Sequence, residues 1–160
     1  MTAAAAVADM DEHAAVTVET VLAPVDGSEA SARAAEYAIT VADRYDARVH
    51  ALFVLSREVV LGMDAGAVAE VDVAETAREF LADVVAHAET TDVAVSTSTA
   101  HGFSPVRKTH HPGSVVLDTA DEVGADFIVI PREPSLEAAE VLEKAAEYVL
   151  GYASQPVLSV

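Results

Sequence analysis

The 160-residue chain has no cysteine and no tryptophan, only seven glycines and six prolines, and nine basic residues against 27 acidic ones. Without cysteine there is no disulfide, no thiolate metal site and no thiol nucleophile. Sparse glycine and proline beside 52% apolar content argue against disorder, and the length suits one core of ordinary size. No apolar run is long enough to span a bilayer, and residues 1–8 lack the basic region of a secretory leader. The expectation is a soluble, cytoplasmic protein with no membrane partner.

The formal net charge is −18, with two lysines and seven arginines in the whole chain. Self-repulsion on that scale destabilises a small domain in dilute buffer, whereas at 1 M salt the screening length falls to about 3 Å. Scarce lysine beside abundant Asp, Glu, Ala and Val points to a host that accumulates salt; an acidic protein of an ordinary cytoplasm is the alternative. Either way, binding to a nucleic acid backbone is disfavoured for want of a cationic surface.

Strand and helix patterns alternate. Residues 18–25 read as a strand, and the following Asp26-Gly27-Ser28-Glu29 as a sharp turn and helix start, with Ser28 free to cap the first amides and Asp26 an exposed acid. Ala30, Ala34, Tyr37, Ala38 and Val41 then share one helical face. Residues 48–55 read as a second strand, 56–67 as a loop containing Gly62 and Gly66, and Val73 to Ala88 as a helical stripe. A third strand is expected at about 93–99, and a short helix around Val116 to Val123 ending at Gly124, a good left-handed cap. Phe127 to Ile130 is a fourth strand, Ser135 can cap a last helix with Ala138, Val141, Leu142, Ala145 and Val149 inward, and the chain closes on a strand at Pro156-Val157-Leu158-Ser159-Val160. Such alternation implies an α/β fold, a mostly parallel sheet between two helical layers with ligands at the strands' carboxyl ends.

The Pro24-Val25-Asp26-Gly27-Ser28 turn, the strand Ala125 to Ile130 after Gly124, and the terminal Pro156-Val157-Leu158 occur in this order, and over about residues 18–160 the chain resembles the universal stress protein family. The resemblance implies a three-layer α/β/α, Rossmann-like sheet of the adenine nucleotide alpha hydrolase type, strand order 3-2-1-4-5, spanning 17–160. Residues 1–16, low in complexity and rich in alanine, read as a frayed tail, with a short amphipathic docking helix as the alternative. It also implies a pocket for ATP or AMP with Mg. Nucleotide-binding members hold the nucleoside at the acid after the first strand and near the end of the second, which correspond here to Pro24, Val25, Asp26 and Val54.

The family's phosphate segment, G-x2-G-x9-G-[ST] after the fourth strand, reads here Pro131-Arg132-Glu133-Pro134 and runs on to Glu143-Lys144. Glycine allows close approach of backbone amides to an anion; proline has no amide hydrogen to offer. The usual cradle is therefore expected to be absent, and with it any cofactor. Arg132 and a helix N-terminus are a conceivable replacement; otherwise the prolines rigidify a closed loop and Asp26 is a turn residue.

Residues 100–112 hold three of the six histidines, His101, His110 and His111, with Arg107 and Lys108. Three readings are open: binding of an anionic ligand, metal ligation by the histidines, or a solvated loop offsetting nearby acids. Catalysis finds no support in any Walker, nucleophile-elbow or His-Glu-x-x-His pattern, and His50 and His87 read as packing or surface residues, so no enzyme is expected. The uncharged terminal strand forms a sheet edge; in the family it often builds a two-fold dimer, and the resemblance implies the same of residues 156–160. A homodimer acting on a protein partner is the leading expectation, and a nucleotide sensor the alternative.

Overall fold

The structure, a computed structural model, describes residues 16–101, 111–132 and 140–160. Its five strands are β1 (Thr20–Val25), β2 (Arg48–Leu55), β3 (Val95–His101), β4 (Phe127–Ile130) and β5 (Val157–Ser159). They form one sheet in the order β3-β2-β1-β4-β5, and every pairing is parallel. The α/β fold and the 3-2-1-4-5 order expected from the resemblance are thus found.

A central parallel strand is covered on both faces and must be apolar on both. β1 accordingly runs Val21-Leu22-Ala23-Pro24-Val25 with no exposed position. The two-residue period of a strand divides these side chains between two cores. Val21, Ala23, Val25, Val49, Ala51, Phe53, Leu55 and Val129 face α1 (Glu29–Tyr45) and α3 (Glu70–Glu89). Leu22, Leu52, Val54, Ile128 and Ile130 face α4 (Pro112–Val123) and α5 (Glu140–Tyr152). At the base of the sheet the Asp126 carboxylate accepts from the Glu19 and Thr20 amides at 3.0 and 3.1 Å, which ties the start of β1 to β4.

Several boundaries differ from the sequence reading: β1 starts at Thr20 rather than at 18, and β5 spans Val157–Ser159 rather than 156–160. Residues 57–64 are not loop but α2 (Arg57–Asp64), capped by Ser56 Oγ, which accepts from the Val59 amide. Gly62 lies within it because Val68 packs there, and an added Cβ would come within 2.8 Å of that side chain. β3 starts two residues late, at Val95, since Asp92 turns the chain at φ 59°. α4 starts early, at Pro112, a residue suited to a first helical turn. Gly113 there is buried, and any Cβ on it would strike the ring of Tyr148, so α4 and α5 touch at a glycine.

Gly124 ends α4 at φ 66°, in the left-handed cap expected of it. Val141, Leu142, Ala145 and Val149 are buried as the stripe predicts; Ser135, Ala138 and residues 1–15 lie outside the described residues. Among the described residues no helix is long and apolar enough to cross a membrane.

Candidate functional site

The strand order reverses between β1 and β4, and in open parallel sheets that point is where ligands gather, at the carboxyl ends. The order brings together the end of β1 with Asp26, the end of β2 with Val54, and the end of β4 with Pro131 and Arg132. Val25 pairs with Phe53, one residue before Val54.

The turn after β1 is built by its own polar groups. Asp26 Oδ1 accepts from the Ser28 amide at 2.9 Å, and Ser28 Oγ accepts from the Ser31 amide at 3.1 Å, which caps α1 as expected. Ser31 Oγ accepts from the Asp26 amide and donates to the Ser28 carbonyl, closing the turn. Gly27 sits at φ 87°, a conformation glycine adopts without strain. Asp26 is not the exposed acid expected. It is half-buried, and its Oδ2 is fully buried with no hydrogen-bond partner among the described residues. Pro24 and Val25 are buried, and Val54 is locked into the core under α4 and α5, so only backbone at these positions can meet a ligand.

Across the crevice, Pro131 has no amide hydrogen. The Arg132 amide is already given to the Val160 carbonyl at 2.6 Å, extending the β4–β5 ladder by one bond. The first two residues after β4 therefore have no backbone donor left for an anion, and Arg132 offers its exposed side chain alone. Pro134 and Glu133 lie outside the described residues.

Residues 17–160 match the universal stress protein family. The chain belongs to it. A universal stress protein of Methanocaldococcus jannaschii is 29% identical over 144 residues, covering 88% of this chain and 80% of that protein. Among solved structures, the universal stress protein UspA of Lactobacillus plantarum superposes with a TM-score of 0.69 at 19% identity, covering 91% of this chain and 99% of the other. The universal stress protein of Archaeoglobus fulgidus in complex with dAMP gives 0.60 at 21%, covering 91% and 98%. At these identities the structural likeness establishes the fold.

In this universal stress protein the basic segment is described only at its ends. Arg107, Lys108 and His110 lie outside the described residues, and His101 is placed as the last residue of β3. His111 is the N-cap of α4: its Nδ1 accepts from the Gly113 amide at 2.9 Å, and its ring stacks on Tyr148 at 4.5 Å, with Tyr152 next in the column at 4.7 Å. One of its two nitrogens is thereby spent on the fold. Among the described residues no three His, Asp or Glu side chains cluster in a way that could hold a metal ion. The last strand, with Pro156, Val157, Leu158, Ser159 and Val160, forms one edge of the sheet.

A polar cluster that the sequence reading missed lies under the β2–β3 pair. The buried His50 ring has Ser96 Oγ 2.7 Å from Nδ1 and Ser98 Oγ 2.8 Å from Nε2. Register brings them together, His50 opposite Ser96, which spacing along one chain does not disclose. A serine hydroxyl can donate or accept, so both contacts can form with the neutral or the charged ring, and it is burial that favours the neutral one. Burial pushes the His50 pKa below its usual value. The unfolded chain then takes up a proton at this site before the folded one does, and folding stability falls as pH drops below about 6.5, the usual histidine value. Melting temperature is expected to fall more steeply from pH 7.5 to 5.5 in the native protein than in His50→Gln. Parallel slopes would show that His50 is not the titrating group.

Proposed function

We propose that this universal stress protein is a non-enzymatic regulatory or protective homodimer that acts through contacts with other proteins and does not bind ATP in the family's usual way. The observation that carries this reading is the spent backbone after β4, where Pro131 has no N–H and that of Arg132 is taken by Val160. The dimer would form through β5. Its even-numbered residues pair with β4, so the amides and carbonyls of Val157 and Ser159 point to the open edge. The net charge of −18 with two lysines supports work in a salt-rich cytoplasm.

A second reading is favoured by Asp26 Oδ2, a buried acceptor with no donor among the described residues. It keeps a nucleoside subsite and makes the protein a sensor of ATP or AMP with a non-standard phosphate site built on Arg132 or on the segment that carries His101, Arg107, Lys108, His110 and His111. Calorimetric titration with Mg-ATP in molar KCl separates the two. No saturable heat from a folded dimer is expected. Micromolar binding that Asp26→Ala abolishes, with the fold retained, would establish the sensor.

A further inference from the structure

β3 forms the other edge of the sheet, and among the described residues it is bare of the devices that usually protect one. From Val95 to Ala100 it carries no charge and no proline, and it pairs with β2 without a break from Val95 to His101. Val49 donates its amide to the Ala94 carbonyl, which fixes the phase of the ladder: the even residues of β3 face β2, and the amides and carbonyls of Val95, Thr97 and Thr99 point outward. Above this edge, between β3 and α3, opens a cleft of about 750 Å³. Ala77, Leu81 and Val85 of α3, with Leu55, make its apolar wall, and the exposed Thr97 and Thr99 its floor. Glu70 and Glu89, the first and last residues of α3, stand at its two ends, with Arg78 between them.

We propose that this edge takes an extended segment of a partner protein as a sixth strand, apolar at alternate residues toward α3 and basic at both ends. Strand addition uses open edge amides for affinity and pockets along one face for selection. Charge sets the pattern, since acids close the cleft at both ends while Arg78 disfavours a cation at the centre. Length agrees with it. Glu70 and Glu89 are about 28 Å apart along the helix, and a seven-residue strand spans about 20 Å between its terminal Cα atoms, a difference that two outward-reaching lysine side chains cover. The proposal rests on the reading that the protein works through protein contacts, and names the surface and the kind of partner.

The probe is fluorescein-labelled Lys-Thr-Val-Thr-Val-Thr-Lys with blocked ends, followed by anisotropy beside hydrogen exchange of the β3 amides. Saturable binding at micromolar peptide is expected, with slower exchange at Val95, Thr97 and Thr99. Thr97→Pro removes only an outward N–H, so β3 keeps its ladder to β2. It is expected to weaken the peptide at least about tenfold, equivalent to 1.4 kcal/mol, with circular dichroism and sedimentation unchanged. No binding, or equal binding by Thr97→Pro, overturns the proposal. So does a change in oligomeric state in Thr97→Pro, which would make a second copy of this chain the occupant. A positive Mg-ATP titration would sink the functional reading while leaving this edge to be judged on the peptide alone.

Discussion

Leu22→Ala is expected to lower the free energy of unfolding by about 3 to 5 kcal/mol, from a total of about 5 to 15 kcal/mol for a domain of this kind. Leu22 is the middle of β1, has no exposed surface, and lies in the core that α4 and α5 close over Leu52, Val116 and Ile128. Two terms add: the transfer free energy of the lost methyl groups and the cavity they leave. The cavity cannot relax readily, because β1 is held on both sides by β2 and β4 and backbone in a parallel ladder has little room to move. Tyr152→Ala on the surface of α5 is the contrast. That side chain is 72% exposed, and its loss is expected to cost under about 1 kcal/mol, most of it the stacking on Tyr148. Urea unfolding at fixed high salt measures both. A Leu22→Ala loss below about 1 kcal/mol would mean that the core is looser than its burial implies.

The fold was legible because its signals are local and repeated. β1 and β4 read as strands since burial on both faces demands continuous apolar runs such as Phe127 to Ile130, and Ser28 and Gly124 marked one helix start and one helix end by chemistry that holds in any protein. α2 was hidden by Gly62 and Gly66, which look like loop residues until Val68 is seen packed against the first. The start of α4 was hidden because histidine is an uncommon cap, competent only through an unprotonated Nδ1.

The site divides in the same way. Asp26 and Pro131 were visible as residues, but three facts that decide what they can do depend on contacts between distant segments. The orphaned Oδ2 depends on the packing around the turn, the engaged Arg132 amide on β5 returning alongside β4, and the His50 cluster on the β2–β3 register. Periodicity reports which side of an element is buried, not which polar atom its neighbour satisfies.

Ser159→Pro is expected to convert the proposed dimer to monomer, raising its dissociation constant at least about a hundredfold, equivalent to about 2.7 kcal/mol. The substitution is chosen for what it spares. Ser159 directs its N–H away from β4, and Leu158 and Val160 make the bonds that hold β5, including Val160 N–H to the Ile130 carbonyl at 3.1 Å. Proline therefore leaves that ladder whole, and the extended Leu158 before it already has the conformation proline requires. The hydroxyl it removes is buried and has no hydrogen-bond partner among the described residues, so no described hydrogen bond is lost with it. In a two-fold pair each loss is counted twice, once in each subunit; two missing donors and two intruding rings account for the expected size. Sedimentation is the direct measurement, and the concentration dependence of the melting temperature, present in a dimer, is expected to vanish with it. A Ser159→Pro protein that stays dimeric would move the subunit contact away from β5.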